Sequence, residues 1–276
     1  MALREIAYAK INLALHVRKR RDDGYHLLET LFAFAEDGDV LTAEPADDLT
    51  LRIDGPFAAG LSTGPDNLVL KAAIGLQKLM KTNQGAAIHL DKQLPIAAGI
   101  GGGSADAATV LRLLPKLWGL TPDPAVLDRL AAELGADVPA CLASQTVRGE
   151  GVGEVLTPVA GSDLTGLPLL LVNPRLACPT GPVFKAWDGV DRGSLAVTRP
   201  LTAALAGRND LQESATQMIP GIAQICAWLS AQKGAQLCRM SGSGATCFAI
   251  FDSEDDMQKA NAAADPTWWT LATRLR

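Results

Sequence analysis

The sequence predicts an α+β protein of two domains. Three observations carry that expectation. The chain opens with strand-like stretches in succession instead of strict strand–helix alternation. Several amphipathic segments follow, with sharp helix start and stop residues. Glycine and proline then become denser after "GEGVGEVLTPV", near the middle of 276 residues. At roughly 150 residues per domain the length fits two, and the division is placed to give domains 1–155 and 156–276.

Each element has its own signal. In "AYAKINLALHV", Ile11, Leu13, Leu15 and Val17 alternate with Lys10, Asn12, Ala14 and His16, as the two faces of a strand. Asp22-Asp23-Gly24 reads as a turn, and "HLLETLFAFAE" as a second strand. Asp37-Gly38 then separates it from "DVLTAEP", with "LTLRIDGP" following. "DNLVLKAAIGLQKLMKT" is a helix capped by Asp66 or Asn67. "GAAIHLDKQLP" is a strand that leads into "PIAAGIGGGSADAATVLRLL". There Ser104 is expected to cap a helix carrying Ala107, Val110, Leu111 and Leu114 on one stripe, and Pro115 to end or kink it. Asp123, Pro124 and Gly135 bracket a third helix, and Pro139 suits the first turn of a short one just after Asp137. In the second half, "LPLLLVNP" is a buried strand and "GIAQICAWLSAQKG" a helix. "AQLCRMSGSG", "ATCFAIFD", the helix "SEDDMQKANAAA" and a strand near "WWTLATRL" complete an antiparallel sheet with helices.

Composition excludes several classes. Hydrophobic residues make up 48% and charged residues 20%, as in ordinary globular proteins. A net charge of −5 gives no electrostatic footprint for nucleic acid. Arg4, Glu5 and Lys10 break any apolar run at the N-terminus, and no stretch reaches the ~20 apolar residues of a membrane span. Cys141, Cys178, Cys226, Cys238 and Cys247 are odd in number and lack CxxC spacing, which fits buried thiols in a reducing cytoplasm. His16, His26 and His89 show no metal-ligand spacing.

The glycine-rich stretch carries the chemistry. Gly99 and Gly101 to Gly103 let another molecule approach the main chain and leave consecutive N–H groups to face it. The helix that follows adds the positive end of its dipole. A strand, a glycine loop and a helix N-terminus make a cradle for phosphate. No lysine follows in the manner of GxxxxGK[ST]. The GxGxx run from Gly99 ends in Ser104, and the hairpin-rich start is not a βαβ unit, so a dinucleotide fold is not indicated.

"PIAAGIGGGSADAA" resembles the ATP loop of the GHMP kinases, and "MSGSGATCFAIF" resembles their C-terminal glycine motif. "AYAKINLALHV", "DDGYHLLETLFAF" and "GADVPACL" look like a branch of that family acting on a cytidine-diphosphate-linked alcohol. The resemblance implies an N-terminal domain like ribosomal protein S5 domain 2 and a ferredoxin-like C-terminal domain. It implies phosphorylation by ATP, with Mg²⁺, of the 2-hydroxyl of a cytidine-diphosphate-linked methylerythritol. Lys10 and Asp137 are then catalytic, Asp137 accepting or orienting the hydroxyl proton. Pro95, Ile96, Ala97, Ala98, Gly99, Ile100, Gly101, Gly102, Gly103, Ser104 and Ala105 would hold the ATP phosphates. Asn67 and Lys92 would serve the adenosine end, through the similarity of "DNLVLKAA" and "LDKQLP"; Asn67 reads equally as a helix cap.

Tyr25 and His26 would bind cytidine, while Thr180 and Phe184 close over the substrate. Asn12 shares the strand face of Lys10 and would reach the same ligand. Many members carry two serines where this chain has Ser104-Ala105, so only the Ser104 hydroxyl is offered to a metal or phosphate. The turn from Ser241 to Thr246 either places N–H groups near phosphate or lets strands and a helix pack closely. The expected partner is the small molecule alone, without nucleic acid or membrane, on a monomer or weak homodimer. Two other readings compete: a homoserine- or mevalonate-type GHMP kinase, and a non-catalytic nucleotide-binding module.

Overall fold

A computed structural model describes residues 1–159, 163–197 and 199–276. The chain forms two compact units, each assembled from separate stretches. The first contains residues 1–9, 37–96 and 101–144, and the second contains 10–36, 97–100 and 145–276. Two long strands, β1 (Leu3–Arg20) and β2 (His26–Ala46), run from one unit into the other.

In the first unit, the end of β2 pairs antiparallel with β4 (Gly85–Asp91), Val40 opposite Asp91 and Ala46 opposite Gly85. β3 (Leu49–Asp54) pairs parallel with β4. The helices α1 (Leu68–Met80), α2 (Gly102–Trp118), α3 (Pro124–Leu134) and α4 (Val138–Ala143) complete the unit. Leu41, Ile88, Leu90, Leu76, Val110 and Leu111 are almost fully buried there, as their spacing requires.

Asp37-Gly38 is not a turn: β2 continues through it without a break. The glycine is there for a different reason. A Cβ at Gly38 would lie 1.9 Å from the Ala7 carbonyl oxygen, so the two strands can pass only if this position has no side chain. The expected cap of α2 is also corrected, and of the two outcomes expected at Pro115, an end or a kink, the end does not occur there. The N-cap is Gly101, in the left-handed region at φ +65°, and no side chain caps it; Ser104 lies inside the first turn. A glycine can enter the helix directly from that conformation, so the serine hydroxyl is not needed as a cap. Pro115 does not end the helix, which continues to Trp118 and stops at Gly119. Only the last turn loses a backbone bond to the proline. Trp118 anchors that turn by donating from Nε1 to the Gly85 oxygen at 3.1 Å.

Asn67 caps α1, accepting from Val69 N at 2.9 Å, and Asp123 caps α3, accepting from Ala125 N at 2.8 Å.

In the second unit, Thr30 to Phe32 of β2 pair antiparallel with β5 (Val147–Glu150), which pairs with β6 (Val155–Pro158). A separate antiparallel sheet has the order β10-β7-β9-β8, from β7 (Pro168–Asn173), β8 (Ala235–Met240), β9 (Cys247–Phe251) and β10 (Trp269–Arg274). β7 is buried along its whole length, matching its unbroken apolar run. The helices are α5 (Thr180–Lys185), α6 (Pro200–Ala206), α7 (Gln212–Met218), α8 (Gly221–Ser230) and α9 (Glu254–Ala262). Strands β5 and β6 and helices α5 to α7 were not expected from the sequence. Each is seven residues or fewer, too short for a period to declare itself. β1 also departs from a half-solvated strand, because Lys10, Asn12 and His16 are each about 3% exposed. Its polar face is a buried polar network.

Candidate active site

Lys10 lies on β1 within the second unit. Its ammonium donates to Asn12 Oδ1 at 3.0 Å and sits 5.0 Å from the centre of the Phe32 ring. Asn12 Nδ2 donates to Thr30 Oγ1 at 2.8 Å, and that hydroxyl donates to the Ala14 oxygen at 2.7 Å. The relay fixes the Asn12 amide, so its oxygen orients the ammonium. Both polar ends of this side chain are occupied by protein groups.

The loop before α2 is pinned from the same unit. Lys10 N donates to the Ile100 oxygen at 3.0 Å. Ser241 Oγ accepts from Asn12 N at 3.1 Å and donates to the Gly99 oxygen at 2.9 Å. Thr246 N donates to the Ala98 oxygen at 3.1 Å, and Cys178 N to the Ala97 oxygen at 3.3 Å. The 241–246 turn therefore packs against the loop. It also uses the Ser241 and Gly244 N–H groups internally.

Positive φ angles recur at Ala97 (+51°), Gly99 (+76°) and Gly101 (+65°), alternating with ordinary residues. Such alternation turns successive N–H groups to one side, forming a concavity that suits anions. The first turn of the 17-residue α2 adds N–H groups without a side-chain cap and with no acidic residue. A Cβ at Gly103 would meet nothing within 4 Å, so space lies open beside that turn. These features fit the phosphates of a nucleotide. Among the described residues, no cluster of three or more His, Cys, Asp or Glu side chains is placed to hold a metal. If Mg²⁺ binds with a nucleotide here, the Ser104 hydroxyl in the first turn of α2 is the protein oxygen that would accompany the phosphate oxygens.

Two substitutions separate the loop's own packing from ligand approach. A Cβ at Gly99 would lie 2.4 Å from the Ser241 oxygen and 2.7 Å from the Gly244 oxygen. Gly99→Ala is expected to lower stability by about 1–3 kcal/mol in urea unfolding. Gly103→Ala meets no protein atom and improves helix propensity by up to ~1 kcal/mol. It is expected to fold at least as stably as the parent while raising the ATP KM roughly tenfold. An unchanged KM would mean that phosphate does not approach Gly103.

In the first unit, Lys92 is about 3% exposed and lies between two buried carboxylates. Its Nζ donates to Asp39 Oδ2 at 2.5 Å and Asp106 Oδ2 at 2.6 Å. Asp39 Oδ1 also accepts from Gln93 N and Leu94 N. A Cβ at Gly102 would be 3.1 Å from Lys92 Nζ, so the ammonium underlies the start of α2. Burial pulls the Lys92 pKa down, but Asp106 and Asp39 outweigh it and hold the ammonium above its ordinary range.

Burial pushes Asp106 up to about 8; Lys92 opposes the rise and Asp39 adds to it. Because the folded value lies above the unfolded one, this group's stabilising contribution is complete below about pH 4. It is lost as pH rises toward 8. Asp106→Asn is therefore expected to flatten the fall in unfolding free energy across that window, as read by urea titrations at stepped pH. Equal slopes in the two proteins would refute this assignment.

Asn67 is committed locally: its oxygen caps α1, and its Nδ2 donates to the Ser62 oxygen at 2.7 Å. Asp137, also in the first unit, is the half-buried N-cap residue of α4, but its carboxylate does not cap the helix. Arg112, unremarked in the sequence, holds α4 to α2. It pairs with Glu5, donates to the Cys141 oxygen at 2.8 Å and donates to Thr109 Oγ1 at 2.9 Å.

The remaining expected residues are in the second unit. Tyr25 is 63% exposed and His26 is buried. The His26 ring is 5.2 Å from that of Phe184 on α5. The Thr180 hydroxyl is 3.0 Å from that of Ser243. Arg239, unremarked in the sequence, is buried on β8 and donates to the Ala204 oxygen at 2.8 Å and the Gly207 oxygen at 2.5 Å, as well as to Leu13 O. It braces β1 beyond Lys10 and Asn12. Burial lowers its pKa to about 10, so it stays charged at neutral pH. A buried arginine bound to carbonyls leaves no local sequence pattern.

A concave glycine loop opening a helix, braced by a second glycine turn, is the arrangement expected of a kinase of the GHMP class. Family models agree: GHMP kinases N terminal domain matches residues 67–145, and GHMP kinases C terminal matches 198–267. The chain is 59% identical to the 4-diphosphocytidyl-2-C-methyl-D-erythritol kinase of Rhizorhabdus wittichii, across 99% of this chain and 94% of that protein. A crystal structure of 4-(cytidine 5'-diphospho)-2C-methyl-D-erythritol kinase superposes with a TM-score of 0.85 at 35% identity, covering 99% of both chains. Homoserine kinase from Cytophaga hutchinsonii, at 17% identity and a TM-score of 0.69, covers 99% of this chain and 95% of its own and shares the fold alone. The chain belongs to the 4-diphosphocytidyl-2-C-methyl-D-erythritol kinase family within the GHMP kinases.

Proposed function

We propose that this chain transfers phosphate from ATP to the 2-hydroxyl of 4-(cytidine 5'-diphospho)-2-C-methyl-D-erythritol, in non-mevalonate isoprenoid precursor biosynthesis. The observation that carries the reading is the loop from Ala97 to Gly103: concave by its φ pattern, open beside Gly103 and continuous with an uncapped helix start. Bound MgATP supplies the transferable phosphoryl group and the charge balance that the transfer requires.

The chain's own residues bind and orient. The N–H groups from Gly99 to Ala105 hold phosphate, with the Ser104 hydroxyl as the protein's contribution to Mg²⁺. Asp137 receives or orients the proton of the 2-hydroxyl, and Lys10, aimed by Asn12, favours negative charge near the accepting oxygen. Tyr25, His26, Thr180 and Phe184 hold the cytidine end. The sequence boundary at 155/156 is kept as the proposed division between the N-terminal and C-terminal domains, and the two family models fall on either side of it. The chain is further proposed to work in the cytoplasm as a monomer or weak homodimer. Among the described residues, no helix is long and apolar enough to cross a membrane.

A coupled ADP-release assay over a small panel tests the reading. Turnover is expected with the cytidine-diphosphate-linked methylerythritol and not with homoserine or mevalonate. Preference for either of the latter would move the chain to another branch. ATP binding without turnover of any alcohol would make it a nucleotide-binding module.

A further inference from the structure

Arg20, the last residue of β1, reaches across the 21–25 turn to His26. Its Nε–H donates to His26 Nε2 at 3.1 Å, and Nη2 donates to the Lys185 and Trp187 oxygens at 3.0 and 3.3 Å. One guanidinium thus ties the imidazole to the end of α5. His26 is 6% exposed, and its ring lies 5.2 Å from that of Phe184 and 5.7 Å from that of Trp187, so its orientation is fixed by packing as well.

An arginine has only donors. A ring nitrogen that receives an arginine N–H must offer a lone pair. Nε2 is therefore unprotonated, and the proton of the neutral ring resides on Nδ1. A second ring proton would displace the guanidinium and set two cations side by side. Burial, and then the Arg20 charge, push the ring's pKa below its ordinary value, in agreement with that geometry.

We propose that Arg20 sets the base preference of the cytidine end by locking His26 as the Nδ1–H tautomer. The proposal rests on the reading of His26 as a base contact. A fixed Nδ1–H donor pairs with an acceptor. Cytosine presents a lone pair at ring N3 beside its O2, whereas uracil carries hydrogen on N3. A uracil ring turned the same way sets donor against donor and leaves a buried N–H unpaired. Without the guanidinium the proton is free to move to Nε2. Nδ1 then becomes an acceptor, and uracil finds a partner. Arg20 is thus a positioning residue acting through His26.

Two measurements decide the matter. In full-length protein labelled with ¹⁵N-histidine, NMR at neutral pH is expected to show His26 Nε2 with a lone pair and Nδ1 protonated. An Nε2–H tautomer or a doubly protonated ring overturns the proposal without any variant. In kinetics, the parent is expected to prefer the cytidine-linked substrate over its uridine counterpart by about 10- to 100-fold in kcat/KM. In Arg20→Met that ratio is expected to fall at least ~5-fold, with the loss on the cytidyl KM more than on kcat. An unchanged ratio overturns the role of Arg20 alone. A parent protein that binds neither nucleotide-linked substrate removes the cytidine reading itself.

Discussion

Asp137→Asn is expected to lower kcat by at least ~10²-fold while ATP still binds. The alternative role for this residue was structural, as the cap of a short helix. It does stand at the N-cap position of α4, yet its carboxylate makes no capping bond to that helix. On the proposed function, what the amide removes is a basic oxygen near the accepting hydroxyl. Placement and charge stabilisation supply most of phosphoryl transfer, so the loss measures how far Asp137 orients the hydroxyl as well as how far it takes the proton. Lys10→Met should give a loss of similar order, because a neutral chain over Phe32 keeps the packing and drops the charge. Burst or single-turnover measurements with unfolding controls would check both. Turnover within twofold of the parent for Asp137→Asn would take this carboxylate out of the chemistry.

The fold was legible wherever local chemistry dictates structure. Asn67, Asp123 and Pro124 announce helix starts, and the unbroken apolar run of β7 announces a buried strand. The glycine loop was legible as well, because several adjacent glycines before a patterned helix have few other uses. Features set by long-range contact were not legible. Gly38 reads as a turn residue, whereas it is required by the Ala7 carbonyl passing beside it. Ser104 reads as a cap, while Gly101 already provides the entry to α2. Asn12 reads as a ligand-facing residue from strand alternation alone. Alternation cannot show that Thr30, 18 residues on, occupies its amide. Arg20 and Arg112 give no signal in the sequence, because the His26 ring and the Cys141 carbonyl that they bind lie on other elements.

Lys92 is the sharpest such case, and its substitution should have the largest effect on stability. The sequence expectation gives it an adenosine contact, whereas its ammonium bonds to Asp39, 53 residues earlier, and to Asp106, 14 residues later. Lys92→Met removes the cation shared by two buried carboxyl groups, of which Asp106, with its pKa near 8, is largely protonated at pH 7. Asp39 retains the Gln93 and Leu94 N–H groups, but Asp106 retains little, since its Oδ1 already lacks a hydrogen-bond partner. Breaking a buried pair in this way costs about 3–5 kcal/mol, a large share of the ~5–15 kcal/mol that holds a typical protein folded.

Urea unfolding at pH 7 should show that loss. Lys92→Met with Asp106→Asn should recover part of it, because the amide carries no charge at any pH and offers N–H donors in place of the lost ammonium. ATP kinetics on the same variants separate the two roles. If Lys92 mainly supports the start of α2 from beneath Gly102, stability and ATP KM worsen together, and the double variant relieves both. If it reaches the adenosine instead, Lys92→Met raises the ATP KM while stability stays within 1 kcal/mol of the parent, and Asp106→Asn relieves nothing. The second outcome would mean that the buried carboxylates do not depend on this cation, contrary to its 2.5 and 2.6 Å contacts with them.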